Sequence, residues 1–278
     1  MFVAKVVGQY VAIDKVATYD ILERASLPVP QTFVLQRASF DDKIERDALR
    51  NFLVNNKRVI VKPSNTDHGD GVSIGITSWE QLHAALEYAL TNSYDADILV
   101  QQQVIGDEYR FLVLRGRVIA VANRQPPFVI GDGVKSVREL IEVKNSNPLR
   151  GDGHISPLTK ISIDEVAHFL GDEKLNSVLA QDEKIELLKT SNLSRGGEAV
   201  DFTDIASSPL KDMAVYAARE CLLGIAGVDI ITTDISGDQG FIIEVNASPG
   251  LRMHQFPSIG KPRDVAAMIF DELERLGS

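Results

Sequence analysis

Apolar residues along the chain recur alternately at helical spacing and at a spacing of two, so helices and strands are expected to follow one another. "AIDKVATYDILERASLPVP" predicts a helix with Asp14 near its start. It stops before Pro28, because proline disfavours helical geometry in the residue ahead of it. "RVIVKP" (58–63) reads as a short β-branched strand, and after the polar loop "SNTDHGDG" the segment "VSIGI" alternates like a second strand. "TSWEQLHAALEYAL" opens with a capping-box pattern from Thr77 to Glu80 and continues with helical spacing. "DILVQQQV" predicts a strand, and "YRFLVLRGRVIAVANR" a hairpin turning near Arg115-Gly116-Arg117.

The stretch 131–201 is mostly polar, with two or three short helices expected. In "SPLKDMAVYAARECLLGIAG", Ser208 is the expected N-cap and Pro209 the first helical residue. "VDIITTDISGDQGFIIEVN" predicts a hairpin, and "KPRDVAAMIFDELERL" a closing amphipathic helix. Antiparallel hairpins mixed with helices predict an α+β fold rather than a doubly wound sheet.

Composition narrows the function classes. The 278 residues allow one large domain or two lobes, with 44% hydrophobic and 24% charged residues, as in an ordinary folded domain. A net charge of −10 argues against a nucleic-acid backbone as main partner, leaving room for a local basic site. The single Cys221 excludes a disulfide framework or a cysteine-based zinc site and reads as an inert core thiol in a reducing compartment. The N-terminal "MFVAKVVGQY" lacks a signal-peptide pattern, and no run approaches the roughly 20 apolar residues of a membrane span. A cytoplasmic protein without a membrane partner is expected.

Standard nucleotide motifs are missing: Gly260-Lys261 lacks the rest of a P-loop, and no Gly-x-Gly-x-x-Gly exists. "GVSIG" (71–75) matches a nucleophile elbow around Ser73, but apolar alternation continues at Val72, Ile74 and Ile76, so a loop and strand is the expected reading. "FIIEVNASPG" is more informative. On a strand, Glu244 and Asn246 project to one side while Phe241, Ile243 and Val245 enter the core. Asp229, an acid in the apolar run "GVDIITT", is brought near Glu244 by hairpin pairing. Two acids and an amide oxygen suit Mg²⁺ or Mn²⁺ shared with phosphates, the alternative being a solvated sheet face. Lys62 ends a buried-looking strand just before a loop holding Gly69 and Gly71, whose backbone can approach a phosphate. Lys15 begins a helix, where a cation opposes the dipole and invites an anion. Either lysine alone is equally compatible with a solvated surface cation.

From "DKVATYDILERASLPVP" through "VIVKPSNTDHGDGVSIG", "QQQVIGDEYRFLVL" and "GVDIITTD" to "IIEVNASPGLRMH", the chain resembles the ATP-grasp ligases over nearly its whole length. "RVIAVANRQPPFVIGDGVKSVRELIEVKNSNPLRG" and "SNLSRGGEAVDFTD" resemble the ATP-grasp region of cyanophycin synthetase and of fused bacterial glutathione synthetases. The resemblance implies two α+β lobes gripping ATP between antiparallel sheets. Residues 1–103 would form the N-terminal helix and the smaller lobe, and 104–278 the larger lobe with metal and acceptor sites. By the same resemblance, Lys15 and Lys62 contact ATP phosphates, and the loop 65–73, with Gly69, Gly71, Val72 and Ser73, closes over them. Gln103 and Val104 meet adenine, Glu108 holds the ribose, and Asp229, Glu244 and Asn246 bind Mg²⁺. Gln101 stands where an acid is expected.

The implied activity is an ATP-dependent carboxylate–amine ligation through an acyl phosphate, on an amino acid or peptide. Arg110, Arg124 and Arg195, with Asn192, are the candidates for handling anions, a surface ion pair being the competing reading for each arginine. Arg252 and His254 would lie over the acceptor pocket, His254 positioning the amine or taking its proton. A kinase-like transfer and a nucleotide-binding subunit without chemistry are the competing readings. Family enzymes usually carry a domain ahead of this fold, whereas the first ATP lysine here is already Lys15. The acceptor site would then be completed by a second chain (a homo-oligomer or a partner), or by a large substrate, or the sequence is a fragment. The extra ligase domain of cyanophycin synthetase has no counterpart, which favours a single ligation over polymerisation.

Overall fold

The computed structural model describes residues 2–65, 71–93, 96–152, 156–188 and 196–277. The chain opens with α1 (Phe2–Ile13) and α2 (Lys15–Arg24). Asp14 separates them, and its carboxylate accepts from the backbone N–H of Val16 at 2.9 Å and of Ala17 at 3.3 Å, capping α2 as expected. Nothing in the pattern announces α1, whose valines favour strands.

There follow β1 (Thr32–Leu35), α3 (Lys43–Asn56), β2 (Val59–Pro63), β3 (Ser73–Ile76), α4 (Trp79–Thr91) and β4 (Ile98–Gln102). The strands form an antiparallel sheet in the order β1-β4-β2-β3. Val59, Val61, Ile98 and Val100 point to one face and join Leu49, Leu53, Leu82 and Leu86 in a buried cluster. Burying each such leucine contributes about 1.5–3 kcal/mol. The opposite face carries Thr32, Ile60, Lys62, Leu99 and Gln101, with Lys62 opposite Leu99 and Gln101 opposite both Ile60 and Thr32. The capping box of α4 lies one residue later than the pattern suggests. Ser78 caps, and the side-chain oxygen of Gln81 accepts from the N–H groups of Thr77 at 2.9 Å and Ser78 at 3.3 Å.

β5 (Asp107–Leu114) and β6 (Arg117–Gln125) form the expected hairpin. Its turn residues Arg115 and Gly116 have φ of 45° and 82°, the left-handed pair that a two-residue hairpin loop requires. Next come β7 (Phe128–Ile130), α5 (Val137–Asn145), β8 (Arg150–Gly151), β9 (Leu158–Thr159), α6 (Ile163–Leu170), α7 (Asp172–Leu175), β10 (Lys184–Glu186) and β11 (Glu198–Asp201). Among the described residues three helices thus occupy the polar stretch, but β8 to β11 are too short to show an alternation.

The chain closes with α8 (Ser208–Glu220), β12 (Ile225–Thr232), β13 (Phe241–Asn246), α9 (Arg252–Gln255) and α10 (Val265–Gly277). Ser207, not Ser208, caps α8: its Oγ accepts from Leu210 N–H at 3.4 Å and donates to the carbonyl of Gly237. Accordingly, Ser207→Ala is expected to cost about 1 kcal/mol and Ser208→Ala almost nothing, a difference read from urea-unfolding midpoints. The β12–β13 ladder pairs Asp229 with Glu244 but Ile230 with Ile242, so Ile243 is an extra, bulged residue. The bulge corrects the expected alternation: Ile242 and Val245 are buried, Ile243 is partly buried and Phe241 is 37% exposed.

Two compact units result. One comprises Met1–Asp107, Phe111–Val118 and Ser207–Pro249; the other comprises Glu108–Arg110, Ile119–Ala206 and Gly250–Ser278. In the second, β6 pairs antiparallel with β11 and β7 with β10, and Val129, Ile141, Val166, Leu175 and Leu187 share a core. Cys221 is buried, and burial pushes its thiol up to about 11, as suits an inert core residue. Among the described residues no helix is long and apolar enough to cross a membrane.

Candidate functional site

In the first unit the hairpin β12–β13 presents the expected acids. Asp229 lies directly across the ladder from Glu244, and Gly227 across from Asn246. The Asn246 Nδ2 lies 3.5 Å from Asp229 Oδ2 and 3.4 Å from Glu244 Oε2, so all three side chains converge. Asp229 is buried, whereas Glu244 is partly exposed. Lys15, at the first position of α2, brings its ammonium to 3.7 Å from Glu244 Oε1. The anion invited by the helix start is therefore supplied, at least in part, by Glu244. The Lys15 backbone N–H also donates to Ser64 O at 3.3 Å, which ties α2 to the end of β2.

Lys62 is buried, and its Nζ donates to the Tyr19 hydroxyl at 3.0 Å. Gln101, also buried, donates through Nε2 to Thr32 Oγ1 at 2.8 Å and turns Oε1 toward the Tyr19 hydroxyl at 3.4 Å. Ser73 pairs with Val61, which places the start of β3 beside the lysine strand. Gly71 has φ of 74°, and a Cβ there would meet Pro63 Cγ at 2.8 Å, so conformation and space both favour glycine. Val72 and Val104 are half-buried. Gln103 donates its N–H to Arg58 O at 3.0 Å, and its side-chain oxygen accepts from Gly75 N–H at 2.8 Å, holding the edge strand β3. Gly69 lies outside the described residues.

In the second unit Glu108 forms an ion pair with Arg124, from the neighbouring strand of the same hairpin. Arg110 is buried two residues along β5. Arg252 opens the short helix α9 and donates to Ser156 O at 2.9 Å, while His254 is buried beside Met253, which packs on Ala122 and Ala199. Asn192 and Arg195 lie outside the described residues. Pattern reasoning missed two features. One is Tyr19, on the helical face shared with Lys15, Thr18 and Leu22. The other is Glu198, whose fully buried carboxylate oxygen lies 2.7 Å from both Arg150 and Lys144. An acid opening an apolar strand straight after Gly196-Gly197 was its signal.

The donor set fits a hard divalent cation. Among the described residues no three His, Cys, Asp or Glu side chains gather in one place, and the oxygen-bearing groups that converge here are the carboxylates of Asp229 and Glu244 and the side-chain amide of Asn246. Its nitrogen faces both carboxylates at 3.4–3.5 Å, longer than good hydrogen bonds. Turning the amide over presents Oδ1 to the same point, completing the all-oxygen set that Mg²⁺ takes.

Comparison with known proteins gives the class. Residues 178–269 match the RimK-like ATP-grasp domain, and the chain is a member of the ATP-grasp superfamily. It is 40% identical to cyanophycin synthetase of Synechocystis sp. over 275 residues, covering 96% of this chain and 31% of that one. A crystal structure of a bifunctional glutathione synthetase from Pasteurella multocida matches 96% of this chain and 37% of its own, at 32% identity and a TM-score of 0.73. The ATP-grasp ligase PsnB, solved with a phosphomimetic variant of a minimal precursor, Mg and ADP, shares the fold at a TM-score of 0.54 and 16% identity, over 96% of this chain and 59% of its own. The chain spans about a third of the length of the curated relatives it matches. The resemblance read from the motifs is borne out at the level of family and fold.

Proposed function

We propose that this chain is an ATP- and Mg²⁺-dependent carboxylate–amine ligase that joins an amino acid or peptide to an amine in the cytoplasm. The observation that carries it is the Asp229–Glu244 pair, with Asn246 beside it and Lys15 at 3.7 Å. A substrate carboxylate attacking the γ-phosphate of ATP brings two anions together, so the barrier falls only where fixed cations offset their repulsion. Lys15 and Lys62 hold the phosphates. Asp229, Glu244 and Asn246 would hold a Mg²⁺ ion, which would supply positive charge against that of the phosphates. ADP leaves and an acyl phosphate remains; an amine then attacks its carbonyl carbon, and phosphate departs as the amide forms. Arg110, Arg124 and Arg252, with Arg195 and Asn192, are the groups that would orient the acid and stabilise the developing oxyanion. Glu108, Gln103 and Val104 would hold the nucleoside, with Gly69, Gly71, Val72 and Ser73 around the phosphates. His254, being buried, is assigned to positioning the acceptor.

A panel of amino acids and short peptides, offered in acid and amine pairs, tests this through release of ADP and phosphate. Release that needs both partners is expected, with a new amide in the product by mass spectrometry. A stable phosphorylated product formed without amine would replace ligation with phosphoryl transfer. Tight ATP binding with no ADP from any pair would leave only a binding subunit.

A further inference from the structure

We infer that Tyr19 is a positioning residue that aims the Lys62 ammonium and ties it to the carboxylate strand β13, an inference that rests on Lys62 as a phosphate ligand. The Tyr19 hydroxyl is a hub buried in the first unit. It donates its single hydrogen to the carbonyl of Ile243, contacts Gln101 Oε1 at 3.4 Å, and accepts from Lys62 Nζ at 3.0 Å.

Each partner is itself fixed. Ile243 is the extra residue of the β-bulge, so its carbonyl is released from the ladder just where Tyr19 needs an acceptor. It also precedes Glu244, so Lys62, Tyr19, Ile243 and Glu244 form one continuous linkage. The Gln101 amide is oriented by its bond to Thr32, which leaves Oε1 facing the hub.

The chemistry of the hub matters as much as its geometry. Among the described residues, Lys62 has no carboxylate within ion-pair distance, and its bond to Tyr19 is to a neutral group. A carboxylate in that place would orient the ammonium but cancel its charge and compete with an anionic ligand. A phenol hydroxyl orients it and leaves the charge for the ligand. Gln101, in place of an acid, keeps the whole hub neutral.

A double-mutant cycle on the affinity for a non-hydrolysable ATP analogue with Mg²⁺, measured by calorimetry, tests this. Tyr19→Phe keeps the ring and removes the hydroxyl, and is expected to weaken binding about ten-fold, as for loss of a hydrogen bond to a charged group. In a Lys62→Met background the same change is expected to have no further effect. Gln101→Leu, which frees the hub from its other side, is expected to give a smaller loss that also disappears in that background. Unchanged affinity in Tyr19→Phe, or losses that simply add, would overturn the positioning role while leaving Lys62 as a ligand. If Lys62→Met alone leaves affinity unchanged, the phosphate assignment falls first and the role of Tyr19 with it.

Discussion

Glu244→Gln is expected to lower amine-dependent ADP release by at least about a hundred-fold, the upper end of what outer-shell partners of metal ligands are worth. The substitution keeps size and one oxygen but removes one of the two charges facing each other across β12 and β13. Glu244 is partly exposed, so no buried charge is stranded and the fold is expected to survive. Its neighbour Lys15 would lose an ion-pair partner at 3.7 Å and become freer to bind phosphate. Activity that falls through metal binding is therefore separable from activity that falls through the lysine: the Mg²⁺ concentration for half-maximal turnover rises in the first case only. Turnover within two-fold of wild type at low Mg²⁺ would remove Glu244 from the metal site.

A comparable effect on stability is expected at Glu198. Its side chain is fully buried, that of Arg150 is 2% exposed, and Lys144 completes the group, with both cations 2.7 Å from Glu198 Oε1. Burial pulls the Lys144 ammonium below the ordinary lysine range, and the attraction of Glu198 opposes that pull. Glu198→Gln would leave the buried Arg150 guanidinium and the partly buried Lys144 ammonium facing a neutral amide, and breaking such a buried pair costs about 3–5 kcal/mol. Urea unfolding monitored by circular dichroism is the check, and a loss under about 1 kcal/mol would show that water already compensates the charges. The triad anchors the start of β11, directly after the segment that holds Asn192 and Arg195.

What the sequence revealed follows from how local each signal is. The cap at Asp14, the turn at Arg115-Gly116 and the strand ending in Lys62 depend on a few adjacent residues, and all were legible. Caps at Ser78 and Ser207 were each misplaced by one residue, because two capable residues stand side by side and only the partners Gln81 and Leu210 decide between them. The bulge at Ile243 is a property of two strands together, so strict alternation placed Phe241 inside and missed Ile242. The pairing of Asp229 with Glu244 survived because the bulge lies beyond it. Tyr19 and Glu198 were missed because their partners are distant in the chain: Lys62, Gln101 and Ile243 for one, Arg150 and Lys144 for the other. Family membership was readable throughout, since it rests on motifs spread from Asp14 to His254.

The most direct test of a metal site on the β12–β13 hairpin is a titration of Mn²⁺ with a non-hydrolysable ATP analogue, followed by electron paramagnetic resonance. Wild type is expected to immobilise the ion in a nucleotide-dependent manner, and a variant carrying Asp229→Asn and Glu244→Gln is expected to leave it as free as nucleotide alone does. Equal immobilisation by both proteins would contradict a metal site on these strands.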